Sequence, residues 1–210
     1  MKGGELMGID VEQFNQIAQR LNIEVDMIAM PFSRILIEME HGSLDCMFGI
    51  FNTSDRGVYM DFTAVPVRVT TLVFFENIKS NIHFKTINDL KGLTIGVVRG
   101  FKVSPAFDEA AELGLFNVEF VNKVEQNFQK LSFGRLDLVL GNQHVAEYLI
   151  NRLNISNVRQ LRTPLSAQPA YIAFSKVKDL SHLVPLFDRE VKKLKLDGSY
   201  QAIIDKYISE

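Results

Sequence analysis

Cysteine is almost missing from this 210-residue sequence, Cys46 being the only one. No disulfide can close within the chain, and a lone thiol in a strand-like run reads as a small buried apolar residue. A catalytic thiol needs a base and a third group to orient it, and neither can be assigned. Cysteine usage fits either side of a bacterial inner membrane.

Long apolar runs are missing too. None approaches the roughly 20 residues that a membrane-spanning helix needs. No signal peptide is read at the start. Met1, Lys2, Gly3 and Gly4 look like a processed or truncated beginning, so the N-terminus carries no address. There is no excess of one charge: 23 Lys and Arg face 25 Asp and Glu, a net charge of −2 without a basic or acidic block. That excludes the polybasic surface expected of a nucleic-acid or membrane-surface binder. The four His residues show no metal-ligand spacing. Met27, Met30 and Met39 read as core filling. No metal and no cofactor is expected.

What is present is ordinary for a globular protein: 47% hydrophobic and 23% charged residues. The length suits one large domain or two small lobes.

The chain is organised around residues 42–56, GSLDCMFGIFNTSDR. Gly42 ends a helical pattern. Residues 44–48 are a short, mostly apolar run of the kind that forms a buried parallel strand. Gly49 frees the backbone, and the polar turn Asn52, Thr53, Ser54, Asp55 leads to Arg56. Ligands gather at the carboxyl ends of strands in open α/β sheets, so Arg56 stands where an anion can be held. The pattern Gly-x-Leu-Asp-x-x-x-Gly recurs at residues 134–141 in GRLDLVLGN. Two copies, each after an amphipathic helical pattern, suggest two similar α/β lobes.

Taken in order, residues 3–8 read as a turn. Asp10 reads as a helix cap with Gln13 as its capping-box partner; Val11, Phe14, Ile17, Ala18 and Leu21 share one face. Residues 24–30 read as a strand. Ser33 caps the next helix, with Phe32, Leu36 and Met39 as its stripe. Residues 65–75 are β-rich, and the polar residues 76–85 connect the lobes. Residues 87–90 form a helical turn and 93–98 a strand, followed by Arg99, Gly100, Phe101 and Lys102. Ser104 and Pro105 start a helix that Gly114 stops. A strand at 118–121, a helix marked by Val124, Phe128 and Leu131, the repeated strand at 136–140, and a helix from about 145 follow. Residues 158–161 and 170–174 read as strands, and the end is helical. Alternating strands and helices argue for α/β with largely parallel sheets.

The chain resembles the family 3 bacterial solute-binding proteins, the amino-acid-type receptors of ABC importers. The matching segments run in order: GIDVEQFNQIAQRL; Pro31-Phe32, where the family often has Pro-Trp; HGSLDCMFGIFNTSDR, matching a Gly-x-x-Asp strand and Thr-x-x-Arg; Asp61-Phe62-Thr63; DLKGLTIGVVRG; GRLDLVLGN; YIAFSK; and DGSYQAIIDKYI. The resemblance implies a type II periplasmic-binding-protein fold: two α/β lobes, two crossover strands as hinge, and a ligand cleft that closes by hinge bending. Residues 1–74 plus 172–210 would form lobe 1 and residues 75–171 lobe 2. The first strand of lobe 1 would be missing. The resemblance also implies a periplasmic location, a monomer and an ABC permease as partner.

By the same resemblance, Arg56 holds the ligand's carboxylate through a forked pair of hydrogen bonds; unaided, the sequence allows a surface Arg paired with Asp55 or Asp61. Asn52 and Thr53 flank that carboxylate, or are turn and cap residues. Phe32 is an apolar wall or a core aromatic. Gly100 and Phe101 belong to a loop entering a helix N-terminus, where the family has a Gly-Thr-Thr-like loop that Phe101 and Lys102 alter. Asn142 stands where the family commonly has an Asp for the ligand's α-ammonium; it is a helix cap, a ligand contact, or both. His144 beside it reads as structural or solvent-exposed.

The function expected is non-catalytic capture of a small carboxylate-bearing solute, an amino acid or similar, for transport or sensing. The alternatives are a dehydratase-like enzyme of the same fold, for which no general acid can be nominated, and the sensing domain of a larger signalling protein.

Overall fold

The computed structural model describes residues 6–208. The first part of the expected 3–8 turn lies outside them. Helix α1 (Ile9–Arg20) starts from Gly8 and buries Gln13, Phe14, Ile17 and Ala18. Asp10 lies inside its first turn and makes no cap bond; Arg68 holds its carboxylate instead. The strand expected at 24–30 does not form. Val25 and Ile28 stay exposed, and no neighbouring strand among the described residues supplies a ladder for this segment.

Helix α2 (Phe32–Glu40) begins two residues earlier than a Ser33 cap would set it, so Ser33 is inside it rather than capping it. Gly42, at φ +72°, closes its end, where the Ser43 amide donates to the Glu38 carbonyl at 2.8 Å. Strand β1 (Cys46–Phe51) follows, then the single turn α3 (Ser54–Gly57) and β2 (Met60–Phe62). Strand β3 is long (Arg68–Asn77). After a turn at Ile87–Leu90 come β4 (Thr94–Val98) and α4 (Pro105–Glu112). Ser104 caps α4 as expected, its Oγ accepting from the Phe107 amide at 3.3 Å. Strand β5 (Asn117–Val121), α5 (Val124–Ser132), β6 (Leu138–Asn142), α6 (Gln143–Arg152) and β7 (Val158–Gln160) continue the alternation. The chain ends with β8 (Ser166–Ser175), α7 (Val184–Leu196) and α8 (Ser199–Ile208).

The structure divides into two compact units, one of residues up to 30, 34–69 and 169 onward, the other of residues 31–33 and 70–168. The chain passes from one to the other within β3 and returns within β8. Residues 76–85 therefore lie wholly inside the second unit.

In the first unit β1 and β2 both pair antiparallel with β8, with Cys46 opposite Phe174 and Met60 opposite Ser175. The parallel pairing expected of β1 is thus wrong: its neighbour is the late returning strand, which runs the other way. Phe14, Ile17, Ile172, Phe174, Phe187 and Val191 form the core here. The ring of Phe187 meets Phe174 edge-on at 5.1 Å; burying such a side chain contributes about 1.5–3 kcal/mol. Cys46 lies in this region, its thiol pushed up to about 12 by burial and, secondarily, by Asp45.

In the second unit β4 pairs parallel with both β5 and β6, while β3 pairs antiparallel with β6 and β7. The sheet is mixed rather than largely parallel. Val73, Phe75, Phe128, Leu131 and Val139 form its core.

Candidate functional site

The first polar cluster grows out of β1. Gly49 takes φ +79°, and Phe51 ends the strand. Thr53 holds an extended backbone before α3, but its hydroxyl makes no cap bond. Its Oγ1 is buried without a hydrogen-bond partner, the kind of group that calls for an explanation in a folded protein. Arg56 is only 3% exposed. Its Nη1 donates to the Phe51 carbonyl at 3.0 Å. Burial lowers the Arg56 pKa from its ordinary value, while Tyr59 and Asp55 act in the opposite sense. A guanidinium remains charged under such a shift, so the turn holds a desolvated cation beside an unsatisfied hydroxyl. Asn52 belongs to the same turn with its side chain exposed. Asn52, Thr53 and Arg56 therefore lie in or beside one turn, with Asn52 exposed and Arg56 buried.

The second cluster lies on the carboxyl edge of the parallel strands β5, β4 and β6. Gly100 takes φ +80°, and the Phe101 amide donates back to the Val98 carbonyl at 3.0 Å. The Arg99 amide donates to the Val121 carbonyl at 2.8 Å, which ties this loop to the end of β5. The Phe101 ring lies 6.0 Å from that of Phe32, tilted by 59°. Residues 31–33 are counted with this unit. Asn142 ends β6 and caps α6, its Oδ1 accepting from the Val145 amide at 3.3 Å. The cap is thereby real; it commits the amide oxygen and leaves the NH2 as the group on offer.

One pair escaped the sequence reading. Arg68 opens β3, and its Nη1 donates to both carboxylate oxygens of Asp10 at 2.7 Å. A Cβ built on Gly49 would stand 2.6 Å from that Nη1 and 3.0 Å from Nη2. The guanidinium therefore lies on Gly49, two residues before Phe51. The available signal was a cation inside an otherwise apolar β run.

Two surface depressions, which share Ser132, Phe133 and Asn157, lie at the amino end of β6 and contain none of the predicted residues. Among the described residues no three His, Cys, Asp or Glu side chains gather as a metal site would require. No described helix is long and apolar enough to cross a membrane.

Comparison with known proteins adds the following. The family described as bacterial extracellular solute-binding proteins, family 3, matches residues 1–210. The chain is 24% identical to the probable amino-acid-binding protein YxeM of Bacillus subtilis (strain 168) over 217 residues, covering 100% of this chain and 78% of that protein. Among solved structures, an ancestral arginine-binding protein bound to glutamine superposes with a TM-score of 0.85 at 26% identity, covering 100% of this chain and 91% of that one. A histidine kinase sensor domain with similarity to periplasmic binding proteins gives a TM-score of 0.86 at 20% identity, covering 98% of this chain and 88% of that one. The fold is that of the type II periplasmic binding proteins.

Proposed function

Because this chain belongs to the bacterial extracellular solute-binding proteins, family 3, we propose that it is a non-catalytic receptor for a small carboxylate-bearing solute, an amino acid or an amino-acid-like acid. The observation that carries this reading is the buried Arg56 beside the unpartnered hydroxyl of Thr53. A carboxylate matches the fork of donors that a guanidinium carries. In this reading Arg56 takes the carboxylate, and Thr53 and Asn52 add donors. Phe32 and Phe101 offer apolar surface. Gly100 lets the backbone approach the ligand, and Asn142 offers its NH2. The two units act as the two lobes of the receptor.

The protein would work outside the cytoplasm, as a monomer, and hand its solute to an ABC permease. Sensing is the second reading, favoured by the fold shared with a kinase sensor domain. Catalysis finds no support in the chemistry. Asp55, the acid nearest in sequence to Arg56, is exposed, and the Cys46 thiol, pushed up to about 12, is no nucleophile at neutral pH.

The test is calorimetric titration with a panel of amino acids and carboxylic acids beside their methyl esters. The acids should bind and the esters should not. Equal affinity of an acid and its ester would overturn the carboxylate reading.

A further inference from the structure

We infer that Arg68 is a second anion-binding group of this receptor and selects solutes carrying two acidic groups over those carrying one acid or a cationic side chain. The inference rests on the reading of Arg56 as the anchor for the first carboxylate.

The placement comes from the strand order. In the sheet β8 lies between β1 and β3. Arg68 opens β3 and reaches across β8 to lie on Gly49 of β1. Gly49 sits at an irregularity in the pairing of β1 with β8, between Phe48 and Ile50, two residues before Phe51, whose carbonyl receives Arg56. Residues of β1 thus receive both guanidinium groups, Arg68 at Gly49 and Arg56 at the Phe51 carbonyl. Glycine at position 49 is what permits this: any Cβ there would occupy the space the guanidinium takes.

The donor count points the same way. A guanidinium carries five N–H groups. Both bonds to Asp10 come from Nη1. Among the described residues nothing accepts from Nε or Nη2. That free edge is the one that forms parallel bonds with a carboxylate. The Arg68 side chain is 21% exposed, open enough to be reached and sheltered enough for a charge pair to matter. Asp10 fixes the orientation of the guanidinium and offsets part of its charge. An incoming carboxylate is attracted by Arg68 and repelled by Asp10, whereas a cationic side chain is repelled by Arg68 and meets an acid whose two oxygens already accept from it.

The experiment is calorimetric titration of the full chain with isosteric pairs that differ by one charge: succinate against succinamate, glutarate against glutaramate, and L-glutamate against L-glutamine. L-Arginine serves as the cationic probe. The wild type should favour the diacid of at least one pair by about tenfold or more. R68M should erase that preference while keeping the monoacids, and D10N should enlarge it. R68K, with a point charge in place of the fork, should retain part of it and guards against misfolding of R68M. If the monoacids bind and no diacid is preferred, or if L-arginine binds more tightly than every diacid, this inference is overturned and the Arg56 reading stands. If D10N and R68M change only the melting temperature, the pair is structural and the inference is likewise overturned. If no carboxylate of either class binds, both readings fall together.

Discussion

The two copies of Gly-x-Leu-Asp-x-x-x-Gly are written alike and used differently. The first glycine of each, Gly42 and Gly134, takes positive φ and closes a helix. After that they part. Asp137 is a bracket: its Oδ2 accepts from the Thr94 amide at 2.7 Å and ties β6 to the start of β4. Asp45 faces solvent, 3.3 Å from Lys178. The second strand has a parallel neighbour on one side and an antiparallel one on the other, while the first pairs antiparallel. The last glycines differ most. Gly49 holds φ +79° under a guanidinium. Gly141 is absent from the positive-φ positions, and a Cβ there would meet Ala146, Phe128 and Phe75 at 3.7–3.8 Å, ordinary contact. The motif thus specifies a helix stop and a strand; what lies over the strand decides what its end can do.

The sharpest way to break the comparison is to remove the charge that only one copy carries. Arg56→Ala should cost about 2–5 kcal/mol of binding to any carboxylate ligand, the cost of truncating one partner of a buried charge pair. Titration calorimetry reads this, and unchanged far-UV circular dichroism shows that the fold survives. Undiminished affinity would remove Arg56 from the site.

Next come the paired glycines, with opposite signs. Gly49→Ala should lose about 1–2 kcal/mol, the cost of a left-handed backbone for an L-residue, and should displace the Arg68 guanidinium. Gly141→Ala should gain about 0.5 kcal/mol, because alanine has less freedom to lose on folding. Urea midpoints of the two variants compare them directly; a shift in the same direction would contradict the difference drawn here.

Asn142→Ala should cost about 1 kcal/mol of stability through the lost cap. Asn142→Asp keeps an oxygen for the Val145 amide and adds the charge that an amide lacks. If Asn142 faces the ligand, this variant should gain affinity for L-amino acids with a free amine, since a buried ammonium needs a counter-charge. A change in melting temperature alone would leave the residue as a cap only. The smallest contrast is between the two aspartates. Asp137→Asn should lose about 1 kcal/mol with a charge-assisted bond to a backbone amide weakened, and Asp45→Asn about 0.3 kcal/mol or less from an exposed ion pair.

Local chemistry was legible in the sequence where a residue acts on its own neighbours. Ser104 and Pro105 start a helix that Gly114 stops, Gly42 ends another, and Asn142 caps a third, because each works within a few residues of itself. What failed depended on distant chain. Residues 24–30 have a strand-like alternation but no ladder, and the direction of β1 is set by β8, which arrives late in the chain. Asp10 was read as a cap because its natural partner, Arg68, lies far away in sequence. For the same reason the contact between Phe32 and Phe101 could not be seen, although both residues were picked out. The position of Arg56 in a turn after a strand was legible because that is a local pattern; the contact of Arg68 with Asp10 and Gly49 was not, because it depends on residues far away in sequence.

The single thiol gives the molecule its own clock. Cys46 opens the strand that leads to Arg56 and lies in its ladder opposite Phe174. With its pKa pushed up to about 12, almost none of it is thiolate while the strand is in place, and thiolate is the reactive form. Alkylation at neutral pH should therefore be slow and should rise with the fraction of molecules in which β1 has left its ladder, by local opening or by global unfolding. A solute held at the far end of the same strand lowers the population of that open state, so labelling should slow as ligand is added. One reagent and one residue can then follow occupancy in time, without a probe being introduced anywhere in the chain.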